Sequence, residues 1–383
     1  MRLDILDGIR GHLLIMMMLA HLSWQPDMGF LGAVHHARLI GLFDAEFLVF
    51  MSGLLVGMLM VRKFKSSQNL NRFLIQRLDK VYRYYLISAL PFLALTILAA
   101  PDAFAMAKDG VWAVGQVLAL QNGGGYSDIL PIYICCFALL LAASLTVMRF
   151  GTLALLSASL LIYAVSLPNF AYGFFGFGSA FMAFDLAAWQ FLFFIAYALG
   201  TQYENIVNRL SSLSSPAFFA LLGTTTVLLV WQRGGLAYPV PFAIPVDIPD
   251  NWARMHLHPL HLLRILIVCA VFSILMIRKH ALTSYATRAI EWYFGLRLLR
   301  FTGIYSIQMF VFHVYLMAVF QFLDQDLTQY GKTVLALSLL GSFLGMPFVL
   351  RFWDKAMQRP CPKPKLAGSM TSAEPETGRT VGN

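Results

Sequence analysis

Apolar residues in this chain run together in long blocks rather than alternating with polar ones. Ten blocks reach or approach the roughly 20 residues that a helix needs to cross the hydrocarbon core of a bilayer. They are 8–28, 43–61, 84–100, 129–148, 151–167, 186–202, 216–232, 258–277, 303–323 and 331–350. Turn-forming and charged residues collect between them, as in Pro101-Asp102, Asn122-Gly123-Gly124-Gly125, Pro168-Asn169 and the proline-rich stretch 238–249. The stretch 111–120 is apolar but short, and reads as an interfacial or re-entrant segment. The pattern predicts an all-α integral membrane protein, a bundle of about ten transmembrane helices within residues 1–356. Residues 357–383, rich in Pro, Ser, Thr and charge, read as a disordered cytoplasmic tail.

Charge gives this map an orientation. With the N-terminus inside, 21 Lys and Arg residues fall on the inner side and 5 on the outer side. Asp102, Asp109, Asp128, Asp247, Asp250, Asp324 and Asp326 all fall outside. The positive-inside rule therefore predicts both termini in the cytoplasm. Composition agrees: of 383 residues, 59% are hydrophobic and 12% charged, and the mean hydropathy is +0.69. A soluble enzyme of this size could not bury so much apolar surface. The net charge of +9 lies in clusters between apolar blocks, which suits membrane topology rather than nucleic-acid binding. Cys135, Cys136, Cys269 and Cys361 offer neither a disulfide framework nor a metal pair. The first block does not read as a cleavable signal: it is long, lacks an A-x-A site and is interrupted by Arg10 and His21.

Ionisable groups inside spans are costly and point to function. The first block carries Asp7, Arg10, His12 and His21. Arg10 and His21 are eleven positions apart, close to three helical turns, so they share one face about 16 Å apart along the axis. Snorkelling to headgroups is the ordinary reading of Arg10 alone, and an inter-helix hydrogen bond that of His21 alone. A cation at the inner end and a titratable base at the outer end of one face instead suit a substrate entering from the cytoplasm.

Asp7-Gly8-Ile9-Arg10 followed by ten residues and His21 resembles the Arg-x10-His motif of the acyltransferase family 3 membrane enzymes. The chain is still more similar to their relatives, the OpgC-type succinyltransferases of periplasmic glucans. The likeness runs through Arg2-Leu3-Asp4, Asp44-Ala45-Glu46-Phe47, Tyr126-Ser127-Asp128-Ile129-Leu130-Pro131-Ile132-Tyr133, Ala188-Trp189-Gln190-Phe191 and the run near 256–266. This resemblance implies transfer of an acyl group, succinyl in the first place, from cytoplasmic acyl-CoA to hydroxyls of a periplasmic glucan at the bacterial inner membrane. It implies no tightly bound cofactor and no nucleic-acid partner. Acetyl transfer to an extracytoplasmic polysaccharide is the same chemistry with acetyl-CoA as donor. A small-anion transporter using Arg10 as its binding charge is a different class, although the chain shows no internal repeat of the kind common in transporters. Oligomeric state is not legible.

A sugar hydroxyl near neutral pH needs a base, and a histidine with a reference pKa of about 6.5 can supply one. His21 is the candidate. Asp44 and Glu46 at the outer end of the second span are candidates to orient it and to stabilise the imidazolium. Asp128, Tyr133, Trp189, Gln190 and His313 are candidates to line the substrate site together with Arg10. Trp189 also fits an aromatic belt, and His313 fits a packed core histidine. The basic connection containing Arg62, Lys63, Arg77 and Arg83 suits the phosphates of CoA, as well as anionic lipid. His256, His258 and His261 resemble a zinc set only in composition, and no metal is expected. Direct attack on the thioester and an acyl-histidine intermediate both fit these residues.

Overall fold

The computed structural model describes residues 3–25, 28–37, 42, 44–63, 67–99, 107–120, 126–172, 184–233, 255–278, 280–324 and 327–357. The predicted tail, apart from Met357, lies outside the described residues, as do the side chains of Arg62 and Lys63. Among the described residues every apolar block folds as helix and no strand forms. The helices are α1 (Leu3–Ser23), α2 (Asp44–Lys63), α3 (Ser67–Ala99), α4 (Ala107–Leu118) and α5 (Ile129–Ala142). They continue as α6 (Ser144–Tyr172), α7 (Leu186–Thr201), α8 (Tyr203–Ser211), α9 (Ser215–Arg233) and α10 (Pro259–Arg278). The last four are α11 (Ser284–Gly295), α12 (Arg297–Ile304), α13 (Ser306–Leu323) and α14 (Gln329–Met357).

Six of these, α1, α2, α6, α10, α13 and α14, are long and apolar enough to cross a membrane, and the pair α8–α9, bent by 117°, would make a seventh. The protein is thus an all-helical, multi-pass membrane protein. The other expected blocks miss that length and composition test, among the described residues, for local reasons. Blocks 129–148 and 186–202 give helices of only 14 and 16 residues. Block 84–100 is the second half of the 33-residue α3, whose first half is polar. The short 111–120 stretch belongs mostly to α4. A further difference is a break inside α6, where Gly151 takes φ +80°, a conformation other residues rarely adopt.

Two seams of backbone contact set the positions of α1 and α2. A Cβ added at Gly11 would lie 1.8 Å from the Leu299 carbonyl oxygen, and one at Gly303 would lie 1.7 Å from that of Asp7. α1 and α12 therefore touch backbone to backbone. The second seam joins α2 to α7, where Gly57 faces the Tyr197 carbonyl and Gly200 faces that of Leu54. Small residues allow such close approach where lipid offers no hydrophobic drive to associate. An ion pair between Asp4 and Arg300, 2.9 Å, adds to the first seam. Between the seams lies a core of Leu14, Met18, Val49, Tyr85, Phe193 and Met317, with His35, Asp44, Glu46, Asp185, Gln190 and His313 buried in it.

Candidate active site

α1 carries Arg10 and His21 at two different levels. Arg10 lines a cavity of about 170 Å³ together with Leu14, Ser52 of α2, Arg77 of α3, Tyr133 of α5 and Phe310 of α13. The remaining walls are largely leucine, isoleucine, valine and phenylalanine. Arg10 Nη1 lies 3.7 Å from Asp7 Oδ1, a loose pair one turn away. The Arg77 guanidinium sits 5.3 Å above the Phe73 ring. Two guanidiniums against one described carboxylate, in largely apolar walls, give the cavity an attraction for anions. The Tyr133 hydroxyl bonds the side chain of Ser52 within the same walls.

His21 is not among the lining residues of this cavity; it lies farther along the same helix. Its Nδ1 is 2.6 Å from His313 Nε2. The imidazole is flanked by the Tyr126 ring at 4.5 Å and the Trp24 ring at 4.8 Å. Gln25 Nε2 donates to the Tyr126 hydroxyl (2.8 Å) and to the His21 carbonyl (3.3 Å), and Gln321 Nε2 reaches the same hydroxyl at 3.0 Å. Cavity and His21 cluster are stacked end to end on three shared elements. α1 gives Arg10 and Leu14 to the cavity and His21 to the cluster. The segment leading into α5 gives Tyr126 to the cluster, and α5 itself gives Ile129, Leu130 and Tyr133 to the cavity. α13 gives Ser306, Ile307 and Phe310 below and His313 one turn above, with the Phe310 and His313 rings 5.4 Å apart.

The remaining predicted residues are placed as follows. The contacts described for Asp44 and Glu46 are to other histidines than His21. His35 Nε2 lies 3.1 Å from Asp44 Oδ2, and His36 Nε2 lies 3.8 Å from Asp44 Oδ1. Glu46 Oε1 lies 3.0 Å from His261 Nε2. Asp128 sits at the start of α5. Trp189 is fully buried and gives its N–H to the Met255 carbonyl at 2.9 Å. Gln190 gives its amide N–H groups to the Ser159 and Ala187 carbonyls and accepts from the Ser159 hydroxyl at 2.6 Å. Trp189 and Gln190 thus fasten α7 to its neighbours instead of facing a sugar. Arg83 is exposed and paired with Asp79 one turn earlier on α3. His256 pairs with Asp185 (3.2 Å), so the three histidines 256, 258 and 261 are divided among different partners.

His35, His36 and Asp44 have the composition of a metal site, with ligand atoms within 4.8 Å of one another. Their hydrogen bonds argue otherwise. The Ala37 N–H donates to His35 Nδ1 at 3.0 Å, so that nitrogen carries no proton. Neutral His35 then holds its proton on Nε2 and donates it to Asp44. Metal ligation through Nε2 would need the reverse tautomer, with Nδ1–H as a donor. His35 is thus hydrogen-bonded to Asp44, with His36 stacked against it. His36, stacked 4.6 Å from His35 in the connection between α1 and α2, has its pKa held down to about 3, by burial first and then by the neighbouring His35 and His12.

Sequence reasoning missed Tyr126, Trp24, Gln25, Gln321 and the His35–His36 pair. Trp24 and Gln25 lie within one turn of His21, and Tyr126 opens a segment already singled out, so their proximity was a usable signal. Nothing local marks Gln321.

The family model for OpgC protein matches residues 2–351, which takes in both the cavity and the His21 cluster. The chain belongs to the OpgC family. No curated protein and no solved structure matches it. Membership places it in the modification of osmoregulated periplasmic glucan, with a transferase-type activity.

Proposed function

We propose that this chain is an O-acyltransferase of the bacterial inner membrane that moves a succinyl group from cytoplasmic succinyl-CoA to a hydroxyl of periplasmic glucan. The observation that carries the proposal is the end-to-end stacking of an anion-attracting cavity and a half-buried histidine pair along α1, α5 and α13. The charge asymmetry of the chain supports ten crossings with both termini in the cytoplasm, which puts Arg10 at the inner end and His21 at the outer end.

In this reading the thioester occupies the cavity, with its phosphates toward Arg77 and the basic start of α3. Arg10 holds negative charge, and the acyl carbonyl reaches past Phe310 toward His21. The glucan hydroxyl arrives from outside. His21 takes its proton as the oxygen attacks, the new C–O bond forms and the C–S bond breaks. The proton then passes to the departing thiolate, so that CoA leaves as the free thiol. No covalent enzyme intermediate is required. The resemblance to the OpgC-type succinyltransferases favours succinyl over acetyl.

Mass spectrometry of periplasmic glucan from cells carrying the intact gene, no gene, or His21→Ala tests the reading. The expected result is one succinyl increment per modified hydroxyl with the intact gene and none in the other two, at equal protein level. An acetyl increment would correct the donor. Unchanged modification in His21→Ala cells would overturn the assignment.

A further inference from the structure

We infer that His313 is a positioning residue that fixes the tautomer of His21 and thereby selects Nε2 of His21 as the basic nitrogen. The inference rests on the acyltransfer reading above and deepens it. It begins at a group with no choice. A backbone carbonyl can only accept, so the 3.1 Å contact between His313 Nδ1 and the Phe310 carbonyl puts a proton on His313 Nδ1. His313 is fully buried, 0% exposed, and no carboxylate or other anion is among its described contacts, so the neutral ring is the form its surroundings accommodate. Its Nε2 then carries a lone pair. At 2.6 Å from His21 Nδ1 that lone pair must receive a proton, so His21 is protonated on Nδ1 and basic on Nε2. The chain Phe310 carbonyl–His313–His21 does with a neutral imidazole what a carboxylate does for the histidine of a hydrolase triad: it sets the tautomer and orients the ring.

The difference from a carboxylate has consequences. When His21 takes the hydroxyl proton, the short bond to His313 lets the two rings share the charge, where a carboxylate would bring a charge of its own. The titratable groups described around His21 are His313 from α13 and Tyr126 from the segment before α5, with Asp324 acting on Tyr126 from beyond. The imidazolium then gives its proton to the departing thiolate. Phe310 also ties this chain to the donor: its carbonyl ends the hydrogen-bond chain while its side chain lines the cavity.

Three substitutions in the full-length protein, purified in detergent or nanodiscs and assayed with succinyl-CoA and glucan, test this. His313→Leu removes the acceptor and frees His21 to adopt the other tautomer; kcat is expected to fall about 10²-fold or more, with KM for succinyl-CoA unchanged. His313→Gln retains an amide oxygen as acceptor and is expected to recover at least a tenth of wild-type kcat. His313→Glu supplies a neutralising charge and is expected to move the acid limb of kcat/KM upward by about one pH unit or more. The inference is overturned if His313→Leu keeps kcat within twofold. It is equally overturned if His313→Leu and His313→Gln lose the same activity while His313→Glu leaves the pH profile in place, which is the pattern of a purely space-filling residue. Should His313→Leu not accumulate in the membrane, the Gln and Glu variants decide alone. Failure of the wider reading is distinguishable: active His21→Ala protein sinks the acyltransfer assignment, whereas inactive His21→Ala with fully active His313→Leu sinks this inference only.

Discussion

Two kinds of histidine partnership coexist in this bundle. His35, His256 and His261 each face a buried carboxylate, on Asp44, Asp185 and Glu46. His21 faces a second imidazole. The first kind joins elements: His261 ties α10 to α2, and His256 ties the start of α10 to the cap of α7, where Asp185 also accepts from the Ala187 N–H at 2.9 Å. Such pairs hold charge in place, and removing one member strands the other in a low-dielectric interior. The second kind sets ring against ring, next to the cavity that Phe310 lines. On the proposed reading, a carboxylate next to a histidine marks a staple, and an imidazole in its place goes with the proposed base.

This contrast can be broken by experiment, beginning with the largest effect. His21→Ala is expected to cut acyl transfer by about 10³-fold or more while leaving the melting temperature within a degree or two of wild type. His261→Leu should do the opposite. It leaves Glu46, 0% exposed, without its imidazole partner and is expected to lower stability by about 3 kcal/mol, read as a lower melting temperature in detergent, with kcat per folded molecule near wild type. An inactive but stable His261→Leu protein would place Glu46 in the chemistry and erase the distinction. His256→Gln is expected to be milder, about 1 kcal/mol, because Asp185 keeps its bond to the Ala187 N–H.

The smallest effect is one of pH. The His36 pKa lies at about 3 against an ordinary 6.5, so as the pH falls below about 6.5 the unfolded chain takes up a proton that the folded chain refuses. Stability should therefore decline progressively from pH 6.5 toward pH 3. His36→Phe is expected to flatten that decline, measured as melting temperature against pH; an equal slope in both proteins would show that His36 is not its source.

Distance along a helix was legible in the sequence, whereas rotation and neighbours were not. A rise of about 1.5 Å per residue put Arg10 and His21 on one face at different depths, and every apolar block became a helix. Tyr133 and Arg77 likewise joined Arg10 in one cavity. Asp44 and Glu46, by contrast, were assigned by depth alone. Which way they face is set by the approach of α2 to α7 across Gly53, Gly57 and Gly200, a packing outcome with no signature in local periodicity. His313 shows the same limit from the other side. It lies 292 residues from His21, and only the docking of α13 beside α1 turns a core histidine into a partner. The length of α5 was overestimated because apolar content does not reveal where a helix breaks once protein, rather than lipid, surrounds it.

The glycine seam on α1 also bears on how anything could travel through this molecule. With Gly8, Gly11 and Gly303 leaving no room for even one more carbon atom against Phe294, Leu299 and Asp7, the helix that carries Arg10 and His21 cannot slide like a piston or roll about its axis without separating from α12. Any rocking would therefore carry α1 and α12 together as one body, and the reach between the two ends of α1 would stay constant.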